Sequence, residues 1–358
     1  MTGGRVLSGI LGVALTVTTA SASAAQQTAA PSQTPQDQTA APRFRSSVDV
    51  VSVAAVVRDR KGRFVTDLSR KDFEVVEAGQ RRDILDFRAE VNGPVKVAVL
   101  LDVSGSMRMA ERTTDARRAA DHIFLNLNSQ DEAAVFSFDT MLSEVQTFTT
   151  DRSKLQAAVG EVDKPYGQTS LYDAIAATAR MVASASKSGA LGLPQRSAVV
   201  VITDGVDTRS RMKPGEVTVV ASGIDVPVYI LAVVSSVDDP RGNDDERRTV
   251  VSSDLQDLAR GTGGELFISS APAHASIAAR QIISELRHQY VLAFEASTRA
   301  GFRPLEVRTP RKDSLTVRAR SGYSGGEPSS EANQGAATAA ISGPANIRIN
   351  PDALRRRQ

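Results

Sequence analysis

The chain has 358 residues, 41% hydrophobic and 4% aromatic with no tryptophan, so its core must be built mainly from Val, Ile, Leu and Ala. A formal net charge of +2 gives no reason to expect a polyanion, and nucleic acid is set aside as a partner. With no cysteine there are no disulfides, thiolate metal sites, cysteine nucleophiles or lipidated N-terminal Cys, and three histidines (His122, His274, His288) are a poor basis for zinc chemistry.

Residues 1–25 read as an export signal. Arg5 supplies the positive start, residues 6–20 are uncharged, and Ala22-Ser23-Ala24 fits a small-x-small cleavage site. Cleavage would lower the formal charge from +2 to +1 by removing Arg5, and no later segment is long and apolar enough to span a bilayer. An uncleaved anchor is the alternative. The expected location is outside the cytoplasm, periplasmic or extracellular. Residues 26–43, rich in Gln, Thr, Pro and Ala, form a linker that cannot bury a core.

Residues 44–94 have strand character. Residues 48–57 are valine-rich, 58–62 (RDRKG) read as a hairpin turn with a return strand at 63–66, and 72–77 and 83–88 read as two short strands about a turn at Gly79. From residue 95 the pattern changes. Residues 95–101 (VKVAVLL), 198–203 (AVVVIT) and 226–234 (VPVYILAVV) are continuous apolar runs, the kind buried on both faces of a parallel sheet. Between and after them come helical stretches at 110–127, near Leu155, at 171–186, near Leu255 and at 273–288, and strands at 133–138, 144–148 and 265–268. The glycines at 261–264 read as a turn before a strand. Residues 95–288 are therefore expected to form a doubly wound, mostly parallel α/β sheet. Residues 289–324 return to strand character, so β-rich segments flank the α/β unit on both sides. They are expected to pair into one small β-sandwich, with the α/β domain inserted between its halves. Residues 325–358 read as a disordered tail ending in an arginine run.

The first apolar strand runs into Asp102-Val103-Ser104-Gly105-Ser106, and the second ends in Thr203-Asp204-Gly205. Between them, Gly167-Gln168-Thr169-Ser170 leads into a helix. In open α/β sheets, loops beyond the strand C-termini form the binding crevice. The shared chemistry of the three loops is oxygen only, two carboxylates and three hydroxyls, which suits Mg²⁺, with Mn²⁺ or Ca²⁺ as alternatives. Gly105 would permit a tight turn. Two acids leave the ion much of its charge, so it would keep waters and favour an anionic oxygen from outside.

These residues resemble the metal-ion-dependent adhesion site of von Willebrand factor type A domains. The resemblance runs through VKVAVLLDVSGSM, GQTSLYDAI and VVVITDGVDTRS and covers residues 95–288. It implies Ser104, Ser106 and Thr169 as direct ligands, Asp102 and Asp204 as ligands directly or through water, and a partner protein whose Asp or Glu completes the shell. Asp173 and Asp207 are expected to support the site or lie at the surface. Integrin-type domains carry further acids after D-x-S-x-S. Here Met107-Arg108-Met109-Ala110 follows, which argues against a second adjacent cation and puts a positive charge near the rim. The flanks, GRFVTDLSRKDFEVVEAGQRRDILDF and ISELRHQYVLAFEA with LTVRARSGY, resemble a bacterial group of secreted VWFA-related proteins common in acidobacteria.

The expectation is thus an exported binding module without catalytic residues. The alternatives are an envelope scaffold whose ion is only stabilising, or a hydrolase using Asp102 or Ser104. Position 104 is Ser where Asp-based phosphatases need a second Asp, and Ser104 lacks both a G-x-S-x-G elbow and an evident His base. His288 reads as structural. No nucleotide-binding glycine motif stands between a strand and a helix.

Overall fold

The structure is a computed structural model that describes residues 50–89, 93–109, 111–186, 196–234, 253–297, 300–310, 314–325 and 347–349. The expected signal, the expected linker and most of the expected tail lie outside these residues.

A seven-stranded sheet forms around β5 (Val95–Asp102), with β6 (Glu132–Phe138), β7 (Leu142–Thr149), β8 (Arg196–Thr203), β9 (Val228–Val233), β10 (Leu266–Ser269) and a short edge strand at Ile347–Ile349. Its order is β10-β9-β8-β5-β6-β7, followed by the edge strand, which lies within the expected tail and pairs in parallel with Leu142 to Glu144. All pairings are parallel except β6 with β7. All eight residues of β5 are buried, which is why its sequence is a continuous apolar run. Side chains alternate along it. Val95, Val97, Val99 and Leu101 face a cluster with α1 (Arg112–Leu125), α2 (Arg152–Glu161) and α6 (Pro272–Arg287). Ala98 and Leu100 face another with α3 (Leu171–Ala185), α4 (Pro214–Gly223) and α5 (Ser253–Gly261). The sheet is therefore doubly wound, as expected.

Periodicity gives no sign of α4. Its Val217, Val219, Val220 and Ala221 leave it without the polar stripe that marks an amphipathic helix. The start signals are nonetheless present: Pro214 in the first turn, and Glu216, whose carboxylate accepts from Lys213 N at 2.7 Å. After α5 the chain turns through Gly263 and Gly264 into β10. A Cβ on Gly264 would lie 2.0 Å from the Val228 carbonyl oxygen, so the turn needs glycine there for close packing against β9.

The flanks interleave in two further antiparallel sheets. One has the order β13 (Thr316–Ala319), β1 (Val50–Arg58), β11 (Gln289–Glu295), β4 (Ile84–Arg88). The other has the order β14 (Gly322–Gly325), β12 (Gly301–Arg308), β2 (Glu74–Glu77), β3 (Gln80–Arg82). A single apolar cluster, including Val53, Phe73, Val75, Tyr290, Phe294 and Val307, draws on both sheets. The α/β domain leaves this sandwich after β4 and rejoins it at β11, directly from α6.

Two local expectations are corrected. Residues 63–66 do not form a return strand, and only a single bridge, Arg58 to Phe64, is made. The Tyr290 hydroxyl takes over instead, donating to Val65 O at 2.9 Å and accepting from Leu68 N at 3.1 Å, so backbone groups a ladder would use are satisfied by a side chain. The expected strand at 83–88 forms as β4, but the unexpected β3 precedes it and takes the pairing with β2 across the Gly79 turn, the chain changing sheets at Asp83.

Candidate metal centre

β5 and β8 are neighbours, but the chain continues from β5 to β6 on one side and reaches β8 on the other. Loops leaving the C-terminal ends of such a pair diverge and open a crevice. Asp102 is the last residue of β5 and Thr203 the last of β8, so DVSGS and TDG both begin at that edge.

The third loop is tied to both. Gly105 N donates to Gly167 O at 2.9 Å and Tyr166 N to Val103 O at 2.8 Å. On the other side, Thr208 N and Arg209 N donate to Thr169 O at 3.0 and 2.8 Å, while Thr169 N donates to Thr208 Oγ1 at 2.9 Å. Gly105 serves this junction by close approach. Its φ is not positive, but a Cβ there would stand 3.0 Å from Gly167 O. The structure thus brings Asp102, Ser104, Ser106, Thr169 and Asp204 to one sheet edge. Asp207 and Asp173 brace it: Asp207 Oδ1 accepts from Leu171 N at 2.9 Å and Ser210 Oγ at 2.6 Å, and Asp173 accepts from Arg211 N and Met212 N.

Asp102 is 3% exposed. Its Oδ1 accepts from Ser104 N at 2.8 Å and its Oδ2 from Thr203 Oγ1 at 2.6 Å. Burial pushes its carboxyl up to about 6, against the pull of those hydrogen bonds, and the Asp204 carboxylate nearby adds to the rise. Ser104 Oγ and Ser106 Oγ share a hydrogen bond at 3.1 Å. Asp204 Oδ2 accepts from Arg112 Nη1 at 2.8 Å, and the same nitrogen donates to Ser106 O at 3.0 Å.

Thr203, Thr208 and Arg112 were not singled out from the sequence. Thr203 adjoins Asp204, but its bond to Asp102 spans 101 positions, and Arg112 reads locally as one more polar helix residue.

Residues 97–206 match the family model for the von Willebrand factor type A domain. The chain contains a VWA domain. Among solved structures, that of the conserved hypothetical protein BatB from Bacteroides thetaiotaomicron is 20% identical, covering 54% of this chain and 98% of that one at a TM-score of 0.41. A von Willebrand factor type A structure from Catenulispora acidiphila is 12% identical, covering 79% and 76% at a TM-score of 0.44. The PilB minor pilin of Streptococcus sanguinis, as a D319A mutant, is 14% identical, covering 55% and 63% at a TM-score of 0.39. No curated protein matches the chain.

The donors of the VWA crevice suit a hard divalent ion. Among the described residues no group of three or more His, Cys, Asp or Glu is placed to hold a metal. What the crevice offers is two acids and several hydroxyls, an oxygen-only set with too little negative charge to enclose an ion fully.

Proposed function

We propose that this chain is an exported, metal-ion-dependent protein-binding module of the adhesion type. Asp102, Ser104, Ser106, Thr169 and Asp204 would hold Mg²⁺, or Mn²⁺ or Ca²⁺, and an Asp or Glu carboxylate of a partner protein would complete the ion's shell. The observation that carries this reading is that three separate loops, tied to one another by backbone hydrogen bonds, bring these five oxygen donors to one sheet edge. A carboxylate 3% exposed stands near a second carboxylate whose side chain is also 3% exposed, and its pKa is raised to about 6. A hard cation bound beside Asp102 would favour its carboxylate form.

The rim supports a protein partner rather than a small free anion. Met109, Tyr166 and Val206, each two or three residues from a proposed ligand, are 54%, 76% and 49% exposed. Arg108, Arg209 and Arg211 on the same loops are also exposed and add positive charge. Turnover has less support. The Ser104 side chain is hydrogen-bonded to the Ser106 hydroxyl and to Asp102, while His288 stacks on Phe64 at 4.8 Å and has Nδ1 2.6 Å from Ser284 O. The signal-like residues 1–25 support export, and the flank motifs, which fold into the sandwich, support kinship with secreted bacterial VWFA-related proteins. Among the described residues no helix is long and apolar enough to cross a membrane.

Affinity capture from envelope extract, run in parallel with Mg²⁺ and with EDTA, tests the reading. Capture should occur only with Mg²⁺ and should be lost in Asp102→Ala while circular dichroism stays that of the folded chain. Capture that persists in EDTA and in Asp102→Ala removes the mechanism.

A further inference from the structure

Two parallel strands can deliver their loops to one sheet edge without fixing how the first side chains beyond the ladder stand to one another. Backbone pairing between β5 and β8 ends with Leu101 against Ile202. The next residues on the two strands are Asp102 and Thr203, and there the connection passes to side chains. Thr203 Oγ1 donates to Asp102 Oδ2 at 2.6 Å, a short bond of the charge-assisted kind. The same hydroxyl accepts from Gly205 N at 3.0 Å. A backbone N–H can only donate and an ionised carboxylate can only accept, so the hydroxyl takes one hydrogen and gives the other. Thr203 is fully buried and β-branched, so this hydroxyl has no water to turn to and few rotamers to choose from.

One hydroxyl therefore serves both acids of the crevice. It holds Oδ2 of Asp102 while Ser104 N holds Oδ1 at 2.8 Å, so the carboxylate cannot rotate without breaking a bond. Through Gly205 N it closes a short turn around Asp204, the residue between. We propose that Thr203, which is not among the proposed ligands, is a positioning residue that sets both acids in place before the ion arrives. The inference rests on the metal-binding reading above. A carboxylate ordered only on binding costs affinity, and one already gripped does not. Loss of a hydrogen-bond partner behind a metal ligand weakens metal binding roughly ten- to a hundredfold. The fold has less need of the bond, since the ladder already joins β5 to β8 from Val95 with Arg196 to Leu101 with Ile202.

The test is calorimetric titration of Mn²⁺ into the full chain, wild type, Thr203→Val, Thr203→Ala and Thr203→Ser, at neutral and at mildly alkaline pH, with urea unfolding of each in EDTA. Val keeps the shape of Thr and loses the hydroxyl. Ala and Ser differ from each other by the same hydroxyl, which keeps the question answerable if the Val variant does not fold. Thr203→Val should bind Mn²⁺ roughly tenfold or more weakly than wild type, and Thr203→Ala more weakly than Thr203→Ser by a similar factor. Both losses should persist at the alkaline pH, because they concern where the carboxylates stand rather than whether they hold a proton. A loss confined to neutral pH overturns the positioning role. Variants that lose stability in EDTA yet bind Mn²⁺ as tightly as wild type assign the hydroxyl to the fold alone and leave the metal reading intact, and so does failure of both Val and Ala variants to fold where the Ser variant folds. A wild type that binds no Mn²⁺ overturns both readings.

Discussion

Asp102 lies under opposing demands: its hydrogen bonds to Ser104 N and Thr203 Oγ1 favour the carboxylate, while burial and Asp204 favour the acid, and burial wins. The sign of the resulting pH dependence follows. With the folded pKa raised from 3.8 to about 6, the metal-free native state holds the proton more tightly than the unfolded chain. Stability is therefore greatest below the unfolded value and falls as pH rises towards 6, with no further loss from this group above it. Asp102→Asn removes this slope. In EDTA at neutral pH the variant should be more stable than wild type by up to ~3 kcal/mol, the energy equivalent of a shift of about two pKa units. It should gain nothing from added Mg²⁺. Urea unfolding across the acidic range checks this, and an Asn variant less stable than wild type in EDTA at neutral pH would show that Asp102 serves the fold rather than an ion.

The elements were legible in the sequence to different depths. β5, β8 and β9 announce themselves because burial on both faces demands uninterrupted apolar residues, and four of the five proposed ligands follow because they sit in short motifs next to strand ends, with Thr169 in a motif just before α3. α4 lacks a polar face and was hidden, and the missing strand at 63–66 depends on Tyr290, more than 220 positions away. Arg112, Thr203 and Thr208 escaped notice for the same reason, since their partners lie far along the chain. Long-range polar contacts also decide how α6 meets the sandwich. Glu285, fully buried near the end of α6, accepts from Arg58 Nη2 of β1 at 2.6 Å and is also paired with Arg318 of β13. Glu285→Gln leaves two arginines facing a neutral amide and should cost roughly 3 kcal/mol in urea unfolding. A loss below about 1 kcal/mol would mean that the arginines find solvent instead, as exposed pairs do.

At the scale of the whole molecule, the interleaved flanks bear on how the parts share stability. β1, β2, β3 and β4 precede the VWA domain and β11 to β14 follow it, so neither sheet of the sandwich is complete without chain from both sides. Excising the flanks would therefore dismantle a folded unit rather than trim it, which makes deletion a poor way to separate an adhesive role from a scaffold role. α6 is packed in the core of the α/β sheet and continues into β11 through His288 alone. Opening the sheet thus pulls on β11, an interior strand of the first sandwich sheet. The molecule should unfold as one unit. An ion bound at the crevice should then protect the distant sandwich as well. At a Mg²⁺ concentration of a hundred times the dissociation constant, linkage adds ~2.7 kcal/mol and raises the melting temperature on the order of 5 °C. In hydrogen-exchange mass spectrometry, the slowest amides of β1 and β11, which exchange only through global unfolding, should be slowed by Mg²⁺ by the same factor as those of β5. Protection confined to β5 and β8, with β1 and β11 unchanged, would show that the sandwich and the VWA domain open independently and that the buried Glu285 contacts do not couple them.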